Sequence, residues 1–137
     1  MKELPAGLKH TLNYRVPRER TVPFLYPESP FFAVMPEVFA TGYLVGFMEW
    51  ACMEALAPYL EEGERTVGTM INVTHEAATP AGMEVSATVR LVEVEGKRTV
   101  WEIEARDEVD VIARGRHERF AIDYDKFTRK VAAKKGG

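Results

Sequence analysis

The sequence predicts an α+β fold in which an antiparallel five-stranded sheet wraps around a long central helix. Residues 36–60 are almost entirely apolar, which indicates one buried helix. One segment before this stretch and four after it alternate apolar and polar side chains with the period of two that is typical of strands. Short turns separate the last four strands, which makes them antiparallel neighbours. With 137 residues, the chain is expected to form a single domain over residues 1–137.

The helix is predicted to begin near Thr41, as its N-cap, and to end by residue 57, because the residue before Pro58 disfavours helical geometry. Between residues 38 and 57, Thr41, Glu49 and Glu54 are the only charged or aliphatic hydroxyl side chains. A helix that is apolar around most of its circumference is expected to be buried on most sides.

The alternating segments predict strands at residues 8–16, 67–77, 83–94, 99–105 and 111–123, followed by a short helix from Tyr124. In the second strand the odd-numbered residues, which include His75, form the more apolar face and are expected to face the helix. The third and fourth strands are expected to direct Met83, Val85, Ala87, Val89, Leu91, Trp101 and Ile103 inward. The free edge of such a sheet invites pairing with a second copy, so a homodimer or larger assembly is expected.

Residues 17–36 join the first strand to the helix and combine several aromatic side chains with prolines at positions 17, 23, 27, 30 and 36. A long, apolar connection that proline stiffens is more often a functional lid or a binding loop than a spacer.

The charge distribution argues against a nucleic-acid partner. The net charge is −3, and residues 1–110 carry 10 basic and 18 acidic side chains, whereas residues 111–137 carry 8 basic and 3 acidic ones. No basic stripe interleaved with aromatic residues is present. The basic end could meet an anionic ligand through Arg114, Arg116 or Arg119, although a solvated tail explains the last lysines equally well.

Several bulk features point to a cytoplasmic protein without a membrane partner. No apolar run reaches transmembrane length, and the N-terminal residues have no apolar core. The one cysteine, Cys52, lies within the apolar helix and is expected to be a buried structural thiol. The absence of Gln and the scarcity of Asn favour a thermophilic source.

Glu49 stands out, because an ionised carboxylate in a buried helix costs several kcal/mol unless it is paired or used. The alternative is that the helix has one wet edge along Glu49, Met53 and Glu54. His75 is either a packed core histidine or, if it turns toward the same seam as Glu49, a general base that the carboxylate orients.

Thr41 and Gly42 add backbone N–H groups at a helix N-terminus, which can polarise a carbonyl or hold an oxyanion. Simple capping is the other reading of Thr41. Eight residues of helix separate Thr41 from Glu49 by roughly 12 Å, so one substrate carbonyl cannot easily touch both in one protomer. Two antiparallel helices across a dimer would bring Glu49 of one chain toward Thr41 of the other.

The sequence holds none of the motifs of competing chemistries. It has no GxGxxG, P-loop, CxxC or HExxH, and its three histidines are scattered, so neither a metal site nor a bound cofactor is expected.

These residues, in this order, resemble the hot-dog fold thioesterases and in particular the fluoroacetyl-CoA thioesterase group. The likeness covers nearly the whole chain, through LYPESPFF, PEVFATGYLVGFMEWAC, VGTMINVTHEAATP and GRHERF. It implies a cytoplasmic acyl-CoA thioesterase in which residues matching Thr41, Glu49 and His75 cleave a short acyl-CoA thioester. Glu49 would act as a nucleophile or as a base on water, His75 would move a proton, and Thr41 would position one of these groups.

The resemblance also implies substrate-binding residues. Gly68 is expected near the substrate carbonyl, Phe32 and Met35 in the lid over the acyl group, and Arg119 or a neighbouring arginine near the phosphates of coenzyme A. The fluoroacetyl-specific enzyme is similar but has a Phe where this chain has Met35, and a flexible thioether cannot reproduce a rigid aromatic gate. The alternatives are a hot-dog enoyl-CoA hydratase and a non-catalytic acyl-CoA-binding protein.

Overall fold

The computed structural model describes residues 1–136, which form five strands and three α-helices. The strands are β1 (Lys9–Arg15), β2 (Glu64–Val73), β3 (Glu84–Glu95), β4 (Arg98–Arg106) and β5 (Val111–Asp123). The helices are α1 (Pro30–Ala33), α2 (Thr41–Leu56) and α3 (Tyr124–Lys134). All five predicted strands and both predicted helices are therefore present, and the last strand has the predicted bounds.

The five strands form one antiparallel sheet in the order β1-β3-β4-β5-β2. The three hairpin-connected strands occupy the centre, because short turns join β3 to β4 and β4 to β5. The two strands that flank α2 in sequence, β1 and β2, lie at opposite edges. This order makes β2 a free edge beside the helix.

The core lies between α2 and the concave face of the sheet. Its helix side consists of Leu44, Phe47, Met48, Ala51, Cys52, Ala55 and Leu56, and its sheet side is built around Val85, Ala87, Val89, Leu91, Trp101 and Ile103. The inward residues predicted for β3 and β4 are thus confirmed from position 85 onward, whereas Met83 precedes β3 and is only half-buried. Cys52 is fully buried as predicted, and burial raises the pKa of its thiol to about 12.

The prediction that α2 is buried on most sides is wrong for the single chain. Gly46 and Glu54 are exposed, and Trp50 and Met53 are exposed by 42% and 47%. The sheet covers one side of the helix, so an apolar strip remains on the other. Exposed apolar strips of this kind mark surfaces that another molecule covers.

A one-residue bulge changes which residues of β2 face the helix. Gly68 pairs with Arg119 and Met70 pairs with Glu118, so Thr69 is the extra residue. Before the bulge, Gly68 faces α2, not Val67 as the simple alternation predicts. A bulge breaks the period of two without a composition signal, which explains the error.

The segment between β1 and α2 forms the short 3-10 turns Arg18–Arg20 and Val22–Phe24 and then α1. It carries exposed apolar side chains, of which Phe31 and Val34 are each 82% exposed. Leu25 packs over the start of α2, where a Cβ added to Gly42 would lie 3.2 Å from a Leu25 methyl group. The predicted lid segment thus borders the N-terminus of α2.

Among residues 1–136, no helix is both long enough and apolar enough to cross a membrane.

Candidate active site

Thr41 and His75 meet at the N-terminus of α2. The Oγ1 atom of Thr41 lies 2.7 Å from Nδ1 of His75. Ala40, not Thr41, is the N-cap residue, and Thr41 is the first residue of the helix. The capping role predicted for Thr41 is therefore wrong, because its hydroxyl bonds to the imidazole.

His75 lies just beyond β2 in a short segment that β5 holds in place. The N–H of Thr74 donates to the carbonyl oxygen of Arg114 at 2.9 Å, and the N–H of Glu76 donates to that of Ile112 at 2.6 Å. His75 is thus fixed by backbone bonds on both sides, which leaves its side chain free to face α2. Such a ring has little freedom to move away from Thr41.

The second imidazole nitrogen of His75, unlike the first, is unpaired in the described residues. Nε2 is buried and has no hydrogen-bond partner among residues 1–136. Buried polar atoms without partners are rare in folded proteins, and they concentrate at functional sites. Burial also lowers the pKa of His75, so the ring is neutral near pH 7 and can accept or give up a proton.

A cleft of about 250 Å³ opens beside this pair, between α2 and the end of β2. Its size suits a small group, and most of its wall is apolar. The lining residues are Thr41, Leu44, Val45, Met48, Ile71, Asn72, Val73, Thr74 and His75.

Glu49 lies two turns further along α2 and forms an ion pair with Arg119 of β5. Its Oε1 atom is 3.1 Å from Nη1 of Arg119, and the two side chains are 37% and 4% exposed. Arg119 also donates from Nε to the Thr66 hydroxyl at 2.9 Å and from Nη2 to the Thr66 carbonyl at 2.7 Å. The guanidinium is therefore locked against β2 and fixes the carboxylate.

Glu49 and His75 of one chain form separate pairs, one with Arg119 and the other with Thr41. One hypothesis from the sequence was that Glu49 directly orients His75 as a general base within one protomer. The structure does not place these two side chains together in that way. The wet edge along α2 is partly present, since Met53 and Glu54 are exposed. Glu49 itself is half-buried and paired.

Gly68 leaves room for the carboxylate of Glu49. A Cβ added at Gly68 would lie 2.8 Å from Oε1 of Glu49, closer than any ordinary contact. Gly68 therefore borders the acidic group, and its contact with the substrate carbonyl stays a prediction.

The burial of Arg119 contradicts its predicted contact with a phosphate. The residue is 3% exposed, and its donors are used within the protein. Arg114 and Arg116 remain on the surface, where they form ion pairs with Glu76 and Glu102. Of the lid residues, Phe32 packs on Tyr26 with 5.5 Å between ring centroids, whereas Met35 is 47% exposed.

His117 is the residue that the sequence pattern did not single out. It is 1% exposed and lies beside Arg119, with its Nε2 atom 3.2 Å from Nη1 of Arg119. Its signal was the alternation along β5, which places His117 and Arg119 on the same inward face as Ala113 and Ala121. Groups of three or more metal-ligating side chains do not occur in the described part of the chain.

Known proteins with similar sequences and folds identify the family of this chain. A sequence profile of the fluoroacetyl-CoA-specific thioesterase family, FlK, matches residues 20–125. The chain belongs to this family. It is 55% identical to the fluoroacetyl-CoA thioesterase of Streptantibioticus cattleyicolor over 128 aligned residues. This alignment covers 93% of this chain and 92% of that protein. The resemblance seen in the sequence is confirmed, and with it the assignment as a thioester hydrolase.

Solved structures of family members and relatives superpose on the whole fold. A Thr→Ser variant of FlK in complex with acetyl-CoA has a TM-score of 0.94 and 53% identity, over 96% of this chain and 98% of that one. A hot-dog-like protein from Thermanaerovibrio acidaminovorans has a TM-score of 0.81 and 28% identity, over 97% of this chain and 94% of that one. The predicted hot-dog fold is therefore confirmed.

Proposed function

We propose that this thioesterase hydrolyses a short-chain acyl-CoA, with fluoroacetyl-CoA as a candidate substrate, to the free acid and coenzyme A. The observation that carries the proposal is the Thr41–His75 hydrogen bond, whose free imidazole nitrogen is buried beside a cleft of about 250 Å³. A cleft of this size suits a two- or three-carbon acyl group better than a long chain. The names of the family and of its members point to the same class of substrate.

In the proposed reaction, Thr41 orients His75 and sets its tautomer. When the Thr41 hydroxyl donates to Nδ1, the neutral ring carries its proton on Nε2. That proton can pass to the sulfur of coenzyme A as the C–S bond breaks. The backbone N–H groups at the start of α2, including that of Gly42, can stabilise the oxyanion that forms on the carbonyl oxygen.

Glu49 has two possible roles, and both require its ionised form. As a nucleophile, its carboxylate attacks the thioester carbon and displaces the thiolate, and water then hydrolyses the resulting anhydride. As a general base, it removes a proton from the water that attacks the same carbon. The ion pair with Arg119 holds the carboxylate in one place, which serves either role.

The proposed active unit is a homodimer in which Glu49 of the partner subunit approaches Thr41 and His75. Two observations support this: Thr41 and Glu49 lie about 12 Å apart along the helix, and apolar side chains are exposed around Glu49. Trp50 and Met53 lie on α2, and Met70 and Ile71 lie on the free edge strand β2. A second copy would cover this strip and complete two equivalent sites.

Met35 is proposed to weaken selectivity for the fluorinated acyl group. It is 47% exposed in the lid segment, and its flexible thioether can adopt many rotamers, unlike a Phe ring. We therefore expect activity on several short esters, and Met35→Phe should narrow the range.

The location and source are also part of the proposal. Coenzyme A esters as substrates support a cytoplasmic protein, and the lack of Gln supports a thermophilic source. A melting temperature in the range of mesophilic domains, below about 65 °C, would contradict the thermophilic source.

The test is release of free coenzyme A from acetyl-, fluoroacetyl-, propionyl- and longer acyl-CoA esters. Wild type should hydrolyse the short esters, and Glu49→Gln should lower kcat by a factor of about 100 or more, because the charge is lost while the shape is kept. The matched control is Glu54→Gln on the same helix, which contacts His10 at the surface and should leave kcat unchanged. Binding of every ester without turnover would refute the thioesterase proposal in favour of an acyl-CoA-binding protein.

Mixing two inactive variants tests the shared site. In a mixed dimer of Glu49→Gln and Thr41→Val chains, a site shared between subunits leaves one site intact and one doubly altered. Random exchange should then restore roughly a quarter of wild-type activity. If each chain supplies its own complete site, the mixture stays inactive and the shared arrangement is wrong.

A further inference from the structure

We propose that His117 is a positioning residue for the reaction, which holds Arg119 and through it the carboxylate of Glu49. This inference rests on the proposed role of Glu49. His117 lies on β5, two residues before Arg119, and its ring is enclosed between β5, β2 and α2.

The hydrogen bonds of the ring define its tautomer. Nδ1 of His117 lies 2.7 Å from the carbonyl oxygen of Met70, which can only accept, so Nδ1 carries the proton. Nε2 then has a lone pair and accepts a hydrogen bond from Nη1 of Arg119 at 3.2 Å. The ring must be neutral for this arrangement to exist.

This acceptor is the fourth hydrogen-bond contact of Arg119. Thr66 accepts from Nε and Nη2, and Nη1 divides its hydrogens between Glu49 and His117. The guanidinium is planar and its five N–H groups are rigidly spaced, so fixing four of them fixes the place of the carboxylate. Loss of the acceptor on His117 would leave a buried N–H unpaired and allow Arg119 to tilt.

The same ring also pins the bulge of β2. Met70 directly follows the extra residue, Thr69, and its carbonyl bonds to His117. A Cβ added at Gly68 would lie 3.2 Å from Cε1 of His117, so the imidazole also borders the glycine that faces Glu49. His117 therefore contacts both Arg119 and Gly68, the two residues that confine the carboxylate of Glu49.

Protonation of His117 would reverse these contacts. The charged groups that face the ring are Arg119 on its own strand and Glu49 on α2. Cys52, also on α2, interacts with both of these residues. Strand β2 presents the Met70 carbonyl, and on β4 Trp101 is the residue paired with His117. A proton on Nε2 would make this atom a donor, so it could no longer accept from Arg119. Its N–H would then be drawn toward Oε1 of Glu49, which lies 4.0 Å from Nε2. Burial, aided by the charge of Arg119, lowers the pKa of His117 and keeps the ring neutral.

Two substitutions separate the two hydrogen bonds. His117→Asn keeps a donor near Nδ1 for Met70 but removes the acceptor for Arg119, whereas His117→Gln places an amide oxygen near Nε2 and keeps that acceptor. We expect His117→Asn to lower kcat by about 10-fold or more with KM changed less than about 2-fold, since a small displacement of a reacting group is costly. His117→Gln should recover most of the lost kcat.

A kcat of His117→Asn equal to that of wild type would overturn the inference, as would an equal loss in both variants. Loss of hydrolysis in wild type itself would instead refute the proposed function. Because His117→Asn could fail to fold, ¹⁵N NMR of histidine-labelled wild type gives an independent reading. We expect a neutral ring with the proton on Nδ1 at about pH 7. A charged ring, or a proton on Nε2, would overturn the inference.

Discussion

The substitution Gly68→Ala should lower the activity of the enzyme with little effect on its stability. The added Cβ would lie 2.8 Å from Oε1 of Glu49, 3.2 Å from Cε1 of His117 and 3.6 Å from Nη1 of Arg119. Ordinary contacts of a Cβ begin at 3.4 Å, so the carboxylate must retreat by several tenths of an ångström. It is the end of a flexible side chain, and its movement is cheap for the fold.

The expected loss of activity follows from the size of that displacement. A shift of this size strains the 3.1 Å ion pair with Arg119 and moves the reacting oxygen away from the substrate. A misplacement of about 1 Å can cost a factor of about 100 in rate, so a shift about half as large should lower kcat by about 10-fold. The free energy of unfolding should change by less than about 1 kcal/mol, because Gly68 does not have a positive φ and alanine restricts the unfolded chain, whereas the tight contact with the enclosed His117 ring opposes that gain.

The assay combines coenzyme A release with urea unfolding of the same preparations. The control is Ala132→Gly, an exposed position on α3 that takes no part in the proposed site or subunit contact. It should keep wild-type kcat and lose up to about 1 kcal/mol of stability from helix propensity. Wild-type kcat in Gly68→Ala would refute the placement of Glu49 against Gly68, and a large loss of stability would show that the backbone, not the carboxylate, takes up the strain.

Two further predictions concern Gly115 of β5 and the buried histidines His75 and His117. Gly115→Ala should destabilise the protein by about 2–4 kcal/mol in urea unfolding. The reasons are that φ of Gly115 is +155° and that the new Cβ would overlap the Asn72 carbonyl and lie 2.7 Å from Cα of Val73. Unchanged stability would contradict this packing. Burial lowers the pKa of both His75 and His117 from 6.5, so below pH 6.5 the unfolded chain binds more protons than the folded one. The free energy of unfolding should therefore fall as the pH decreases from about 8 through 6.5 toward the depressed pKa values, and a rise over this range would contradict it.

The fold was predictable because its main signals are local. Alternation located the five strands, and the apolar stretch before Pro58 located α2. Glu49 also stood out locally, as a charged residue between Met48 and Trp50 in that stretch. These signals depend on neighbours in sequence, which a single chain displays fully.

What the sequence did not predict depends on pairing between distant residues. The bulge at Thr69 becomes visible only once β2 is aligned with β5, and it reverses the faces of Val67 and Gly68. The apolar strip on α2 was missed because an apolar helix indicates burial without saying which molecule covers it. Arg119 was assigned to a phosphate because charge alone does not reveal that Glu49 and Thr66 already satisfy it.

Strand β5 determines the spacing between the two halves of the site. Near its start, the carbonyls of Ile112 and Arg114 hold the segment that carries His75, and further along, His117 and Arg119 hold the half that contains Glu49. A slip of one residue between β5 and β2 would turn the inward side chains outward and disconnect both halves at once. The register therefore has to be fixed along this stretch, where Gly115 allows close approach to β2 and the Thr69 bulge interrupts the ladder opposite Glu118 and Arg119. Gly115 and Thr69 thus help to align the active site, although neither residue lines the cleft.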